Sequence, residues 1–160
     1  MKYRCLTYQE FDLLKDDFKE YLYSQRLSSY EWSVLQDQNS IDAQHLLETY
    51  SDLTFDKVFK DINYLEIRST KELNIIQFNQ NCYITIGIKV PSFSSIDLTN
   101  ADSLSDLNDL DLNGYRSFKK KSEYSSNREG LIFNLIEKGA YVVDSNSFDF
   151  LQLVRQSYQN

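Results

Sequence analysis

The stretch CYITIGIKV, residues 82–90, decides the fold class of this chain. Its apolar residues alternate with the others, so every second side chain points toward the same face of an extended backbone. An alternating run that is rich in β-branched residues predicts a strand. Pro91 ends this strand, because proline has no N–H group to donate to a neighbouring strand.

Further strands are predicted on both sides of this run. Residues 73–78 are rich in β-forming side chains, and the turn Asn79-Gln80-Asn81 separates them from the first strand. Residues 64–68 predict another strand, and residues 115–124 predict a fourth. The first three strands follow one another through short turns, which indicates an antiparallel meander.

Helical periodicity dominates the N-terminal third of the chain. Thr7 and Glu10 fit a capping box in front of a helix predicted over residues 8–26. Apolar residues at spacings of three and four predict three more helices before the sheet. One begins at Ser28 or Ser29 and contains Trp32, one covers residues 41–50, and one begins at Asp52 or Thr54.

Helices are also predicted after the sheet. Ser126 or Asn127 can cap a helix over residues 128–138, and Gly139 is placed to end it. A last helix is predicted over residues 147–158, and a short acidic helix from Thr99 to Asp109.

These elements predict an α+β fold in a single domain, residues 1–160. It consists of N-terminal helices, a central antiparallel sheet of three to four strands, and C-terminal helices that pack on the sheet. A chain of 160 residues with 41% hydrophobic residues can bury a core of its own. The expected core residues are Phe11, Leu14, Phe18, Trp32, Val58, Ile84, Ile86, Ile88, Leu131, Leu135 and Leu151.

Composition restricts the class of partner and the compartment. A formal net charge of −7 disfavours a nucleic-acid-binding protein, because phosphate binding depends on clustered lysine and arginine. No run reaches the roughly 20 apolar residues of a membrane span, and the first residues lack the apolar stretch of a secretory signal. Cys5 and Cys82 are isolated in sequence, which favours reduced thiols. The sequence therefore predicts a cytoplasmic protein without a membrane partner, and it leaves homo-oligomer formation open.

The chain lacks the motifs of metal and covalent catalysis. His45 is the single histidine, and neither cysteine lies in a CxxC pair. With 4 glycines, the chain has no glycine-rich loop that could hold phosphate groups. We therefore predict no cofactor, no metal and no catalytic residue from motifs of these kinds.

One segment partly matches a calcium-binding loop. Asp109, Asp111 and Asn113 follow the spacing of the first three ligands, and Gly114 occurs where the loop needs a sharp turn. The position of the bidentate glutamate is occupied by Lys120, whose charge would repel a cation. An Asn-Gly turn is thus favoured over a calcium site.

The same region contains acids followed by bases. The acids are Asp97, Asp102, Asp106, Asp109 and Asp111, and the bases are Arg116, Lys119, Lys120, Lys121 and Arg128. The five bases are the predicted partner-binding residues. A solvated helix beside a basic edge strand explains the pattern without a partner, since lysines discourage pairing of sheet edges. The acids and bases could also pair with each other.

Several short motifs together resemble a known family. They are Met1-Lys2-Tyr3-Arg4 with Leu6-Thr7, Glu31-Trp32, Ser51-Asp52-Leu53, Asn63-Tyr64-Leu65-Glu66, Ile96-Asp97-Leu98-Thr99 and Leu135-Ile136-Glu137-Lys138-Gly139-Ala140. The chain resembles an uncharacterised family of small Bacteroidota proteins, a domain of unknown function. The resemblance implies a cytosolic single-domain protein and supplies no activity. In that family a histidine often follows the Tyr-Leu-Glu segment, whereas Ile67 follows it here, so a role of that histidine does not transfer.

Two functions from different classes are consistent with these observations. The first is a non-enzymatic protein-interaction protein or an accessory subunit of a larger assembly, with a protein partner. The alternative is a small hydrolase or nucleotide-binding enzyme that uses carboxylates and lysines of residues 97–121. The absence of motifs favours the first.

Overall fold

The computed structural model describes residues 1–100 and 114–157. In this part, the chain forms six helices and a five-stranded antiparallel sheet, which confirms the predicted α+β fold class. The chain divides into two compact units, residues 1–60 and residues 61–160. The expectation that all 160 residues form one domain stays a prediction.

The first unit is helical. Its helices are α1 (Tyr8–Leu13), α2 (Lys15–Ser24), α3 (Ser29–Asp37) and α4 (Ile41–Asp61), of which the last residue of α4 belongs to the second unit. The prediction of one helix over residues 8–26 is wrong, because the chain leaves helical geometry at Leu14, where φ is −107° and ψ is 11°. The last turn of α1 tightens there, since the Leu14 N–H group donates to the carbonyl oxygen of Phe11.

The prediction of two helices within residues 41–61 is also wrong. The sequence offers Asp52 or Thr54 as the start of a new helix, but one helix runs through this point, and the side chains of Ser51 and Asp52 bond elsewhere. The Ser51 hydroxyl donates to the Leu47 carbonyl oxygen one turn earlier, at 2.7 Å. The Asp52 carboxylate accepts hydrogen bonds from the backbone N–H groups of Lys2 and Tyr3, at 2.6 and 3.0 Å. α4 therefore continues through this point.

The core of the first unit is aromatic. Phe18 is buried, and its ring meets those of Trp32 and Tyr50 edge to face, at centroid distances of 5.1 and 4.9 Å. Trp32 is thus a core residue, as predicted. Phe11 is half-buried and packs against this core, and Leu14 is half-buried.

Among the core residues predicted for the first unit, Val58 is the one for which the prediction is wrong. Its side chain is 52% exposed, while Phe55 and Phe59 of the same helix are buried. In one continuous helix α4, Phe55 and Phe59 follow each other at a spacing of four on the inward side. This leaves Val58 outside the buried stripe.

An ionic network fastens the N-terminal segment to α4. The Lys2 ammonium and the Tyr3 hydroxyl both donate to the Asp56 carboxylate, each at 2.6 Å. The Leu6 N–H group donates to Ser51 at 3.1 Å. These bonds, with those from Asp52, give the first residues of the chain a defined path along the helix.

The capping box predicted at Thr7 is present, and Arg4 pairs with its glutamate, Glu10. Glu10 accepts from the Thr7 N–H group at 2.7 Å and pairs with the Arg4 guanidinium at 2.7 and 2.9 Å. The hydrogen bonds from Arg4 hold the pKa of Glu10 at about 2, below its ordinary value of 4.5. The charged form of Glu10 therefore stabilises this end of α1.

We expect Glu10→Gln to lower stability at neutral pH by about 0.5–1 kcal/mol, because Glu10 is partly exposed and solvent screens the pair. The depressed pKa means that this contribution is present above about pH 4.5 and disappears as the pH falls toward about 2. Denaturant unfolding of both proteins at several pH values measures it. Glu31→Gln is the control, since Glu31 caps Ser28 in the same way and none of its hydrogen bonds comes from an arginine. A cost for Glu10→Gln that stays constant down to pH 2 would contradict the assignment.

The second unit contains the sheet. Its strands are β1 (Tyr64–Arg68), β2 (Glu72–Phe78), β3 (Cys82–Lys89), β4 (Arg116–Glu123) and β5 (Tyr141–Val142), in the spatial order β4-β3-β2-β1-β5. The predicted meander of β1, β2 and β3 is confirmed, and the fourth strand pairs with β3. The short fifth strand adds to the predicted number; in it, Val142 pairs with Leu65.

The second unit also contains two helices. They are α5 (Arg128–Glu137) and α6 (Ser145–Ser157). Of the two cap candidates Ser126 and Asn127, Asn127 caps α5 through a hydrogen bond from the Gly130 N–H group. Gly139 follows the helix with φ at +93°, as the sequence indicates. The last helix begins two residues earlier than predicted, because Asp144 accepts from the Ser147 N–H group and caps it.

The main core lies between one face of the sheet and α6. It is formed by Leu73 and Ile75 of β2, Ile86 and Ile88 of β3, and Phe148, Leu151 and Val154 of α6. The predicted core residues Ile86, Ile88 and Leu151 are fully buried here. Ile84, Leu131 and Leu135 are half-buried.

Gly87 leaves room for two side chains on the other face of β3. A Cβ atom at this position would lie 2.2 Å from Asn74 Oδ1 and 2.4 Å from Phe118 Cζ. Asn74 and Phe118 are the residues that pair with Gly87 on either side of β3. The glycine therefore allows both side chains to pack directly on the strand backbone.

We expect Gly87→Ala to destabilise the second unit by about 1–3 kcal/mol, because the added methyl group displaces the Phe118 ring. In a Phe118→Ala background the same substitution should cost less. Thermal and urea unfolding of the four proteins in this double-mutant cycle tests the expectation. Equal costs in both backgrounds would show that the Phe118 contact is not the reason for the glycine.

Candidate functional site

Four of the five predicted partner-binding residues lie on β4. Arg116, Lys119, Lys120 and Lys121 are all exposed. β4 pairs with β3 on one side, and among the described strands none pairs with its other side. The four cations thus lie on an edge strand of the sheet.

The alternation of the strand divides these cations between the two sheet faces. Lys119 and Lys121 pair with Ile86 and Ile84 and therefore share the α6 face. Lys119 donates to Gln152 Oε1 of α6 at 2.6 Å. Neighbouring cations on one face lie two residues apart, about 6.5–7 Å along the strand, which limits their mutual repulsion.

The other face of β4 carries a second cationic row. Arg116 pairs with Lys89 of β3, and Lys120 pairs with Thr85. The Lys89 ammonium lies 3.6 Å from the carboxylate of Glu72. Within residues 1–100 and 114–157, no ion pair joins the four β4 cations to a carboxylate.

Arg128 belongs to a different element. It is the first residue of α5, and its side chain is 14% exposed. Its guanidinium donates to the Ile62 carbonyl oxygen, lies 5.9 Å from the centre of the Phe78 ring and pairs with Glu129. These contacts fasten the start of α5. Arg128, which follows the β4 cations in sequence, therefore stabilises the fold at this point.

The acidic half of the pattern lies mostly outside the described residues. This applies to Asp102 and Asp106 and to the calcium candidates Asp109, Asp111 and Asn113. Gly114 is described and has φ at +75°, as expected for a turn. Among the residues that the structure describes, no three His, Cys, Asp or Glu side chains are grouped so that they could hold a metal ion.

Asp97 is the acid of this segment that the structure describes. Its carboxylate accepts from the N–H group and the hydroxyl group of Thr99, at 2.9 and 2.6 Å. These bonds hold the pKa of Asp97 below its usual range. Lys71 stabilises the same loop, because its ammonium donates to the carbonyl oxygens of Ser94 and Ile96, each at 2.7 Å.

Sequence reasoning missed a buried charged cluster on the α6 face. Glu66 is 1% exposed, and it pairs with Arg68 and accepts a hydrogen bond from the Tyr141 hydroxyl. Arg68 also donates to the Leu98 carbonyl oxygen. Desolvation and then the bond to Glu66 raise the pKa of Tyr141 to about 12. The signal was the Glu-Ile-Arg spacing in a strand, which puts both charges on one face.

This cluster joins three parts of the chain. Glu66 and Arg68 belong to β1, Tyr141 to β5 and Leu98 to the segment after Pro91. A buried carboxylate requires partners that replace its lost hydration. The cluster therefore explains why the two-residue strand β5 stays paired with β1.

A second missed feature is a groove between α5 and the sheet face opposite α6, which we call the α5 groove. Its volume is about 320 Å³. The lining side chains come from the strands and from α5: Ile67, Glu72, Asn74, Ile76, Tyr83, Thr85, Phe118, Lys120, Ser122, Leu131 and Leu135. Leu131 and Leu135 were predicted as core residues. The groove itself was missed because a sequence does not show where a helix leaves part of a sheet uncovered.

The comparisons with known proteins assign the chain to a family. A family model described as a family of unknown function, DUF6495, matches residues 1–156. The chain belongs to this family. The predicted membership in an uncharacterised domain family is confirmed to that extent. No curated protein and no solved structure matches the chain significantly.

The motifs that indicated an uncharacterised family have structural roles in this DUF6495 chain. Tyr3 and Asp52 bind each other through the backbone of the N-terminal segment, and Glu66 holds the buried cluster. Gly139 ends α5 in left-handed backbone geometry. The motifs thus mark how the chain folds, while the exposed β4 cations do not belong to them.

We expect Glu66→Gln to lower the free energy of unfolding by about 3 kcal/mol, because Arg68 loses the ion pair that compensates its burial. The control is Glu72→Gln, which removes a half-exposed carboxylate that faces Lys89 and should cost less than about 1 kcal/mol. Urea unfolding of the three proteins at neutral pH measures both effects. Equal costs would show that the Glu66 cluster is not a stabilising centre.

Proposed function

We propose that this protein is a non-enzymatic interaction protein, or an accessory subunit of a larger assembly, which binds an acidic partner protein through β4. The observation that carries the proposal is the exposure of Arg116, Lys119, Lys120 and Lys121 on an edge strand. The partner would supply the carboxylates that these cations lack among the described residues.

Charge supports a partner of this kind. The chain as a whole has a formal net charge of −7, so β4 is a local exception to its field. A positive strand on an acidic protein orients an approaching acidic surface, and like charges elsewhere on the chain repel incorrect approaches. Electrostatic complementarity thereby gives specificity and a high association rate.

The position on a sheet edge supports the same proposal. An edge strand has backbone N–H and C=O groups that a partner strand can pair with, and lysines on the edge discourage pairing between two copies of the chain. A partner strand that carries aspartate or glutamate would remove this repulsion. β4 therefore combines a binding surface with a means of selecting its partner.

The compartment is part of the proposal. Cys5 and Cys82 are free thiols, and Cys5 is exposed. Exposed free thiols are suited to a reducing environment, which agrees with a cytoplasmic protein. None of the helices within the described residues is long and apolar enough to cross a membrane.

The test is a substitution of Lys119, Lys120 and Lys121 by Glu, followed by affinity purification from native cells and mass spectrometry. We expect the wild-type chain to retain a stoichiometric acidic protein, and the triple variant to lose it with little change in melting temperature. The physical reason is that three attractive charges on an exposed surface become repulsive, while exposed charges contribute little to folding.

The matched control carries the same charge change on other exposed lysines, Lys15, Lys57 and Lys138. It should retain the partner. Retention of the partner by the β4 variant would refute the proposal. A lower melting temperature with intact partner binding would show instead that β4 pairs with the chain's own acidic segment, residues 97–111.

A further inference from the structure

The α5 groove lies between α5 and the sheet face opposite α6, where side chains of β1, β2, β3 and β4 line it. α5 packs against β1, and its Ile132 is fully buried. Leu131 and Leu135, one turn apart on the same helix, are only half-buried and line the groove. α5 therefore covers only part of this sheet face. Its side chains Leu131 and Leu135 lie at the border of the uncovered part.

The floor of the groove is ordered in rows by the strand register. Phe118 packs over Gly87, Lys120 is opposite Thr85, and Ser122 is opposite Tyr83. Paired residues of neighbouring strands have Cβ atoms about 4.5–5.5 Å apart. Lys120, Thr85 and Ser122 are thus polar side chains in neighbouring rows of the groove, which Leu131 and Leu135 of α5 also line.

The groove also contains one carboxylate, that of Glu72. It accepts from the Asn74 amide at 2.9 Å and faces the Lys89 ammonium at 3.6 Å. Glu72 pairs with Lys89, two rows away from the pair of Thr85 and Lys120, which is about 13 Å along the strands. Lys120 therefore gives its end of the groove a positive charge. At the other end, the Glu72 carboxylate already binds Asn74 and faces Lys89.

We propose that the α5 groove binds a small amphipathic anion, an aliphatic carboxylate, with Lys120 receiving the carboxylate and Leu131 and Leu135 contacting the hydrocarbon chain. The volume of about 320 Å³ is near the lower limit of small-molecule sites, which cover roughly 300–1,000 Å³. An apolar wall with a few convergent polar groups is the usual composition of such sites. This site shares Lys120 with the surface proposed for the β4 partner, but binding of a small anion here does not require that partner.

The experiment uses octanoate as the probe and the purified full-length chain, followed by NMR titration with labelled methyl groups. We expect saturable shifts at the Leu131 and Leu135 methyl groups. Lys120→Glu should weaken octanoate binding by about tenfold or more, because an attractive charge-assisted contact becomes repulsive. The neutral isostere octanamide should bind the wild-type chain more weakly by a similar factor.

The matched control is Lys121→Glu, which changes the same charge on the next residue of β4 but on the opposite sheet face. It should leave octanoate affinity within about twofold, since it changes only the general field. Lys120→Gln provides a second, milder variant in case charge reversal disturbs the strand. Leu135→Trp fills the groove and should weaken octanoate and octanamide alike.

Three results would overturn the proposal. The first is the absence of saturable methyl shifts at Leu131 and Leu135 with octanoate. The second is an equal loss of affinity in Lys120→Glu and Lys121→Glu, which would show non-specific attraction. The third is equal affinity for octanoate and octanamide, which would remove the role of Lys120. None of these results bears on partner binding by β4, because no partner is present in the assay.

Discussion

The pairing of β2 with β3 is the interaction on which the second unit depends. In its register Leu73 is opposite Ile88 and Ile75 is opposite Ile86, and all four side chains are fully buried beneath α6. A slip of one residue would turn these apolar side chains to the opposite face and expose Asn74 and Gly87 to the core. Apolar burial at this position thus sets the register, and the register sets the face of every other residue in the sheet.

The opposite face follows from the same register. Gly87 must then face α5, where the missing Cβ atom admits Asn74 and Phe118. Lys120 falls beside Thr85, and the groove acquires a cationic end as a consequence of strand geometry. Two adjacent lysines of β4 therefore have different environments, although they are neighbours in sequence. β4 therefore presents cations on two separate surfaces.

Buried polar groups complete what apolar packing leaves undecided. Glu66 has lost almost all contact with water, so Arg68 and Tyr141 must supply its hydrogen bonds. In the first unit, Asp52 and Asp56 play a comparable role at the surface of α4, where they bind the N-terminal segment. Both arrangements join segments distant in sequence through carboxylates. These acids thus bond distant segments within the fold, in addition to contributing to the net charge.

The sequence by itself determined the local elements with strong periodicity. The alternation in residues 82–90 indicated β3, and Gly139 marked a helix end. Thr7 marked one helix start, and two other starts were narrowed to Ser28 or Ser29 and to Ser126 or Asn127, because these signals act between near neighbours. Only the tertiary structure decided the rest. Ser51 and Asp52 continue α4 because their bonding partners include the distant N-terminal segment, and the pairing of Glu66 with Tyr141 and the extent of the α5 groove likewise depend on contacts between remote residues. Such contacts leave no local periodicity, since they arise only when the packed sheet brings those residues together.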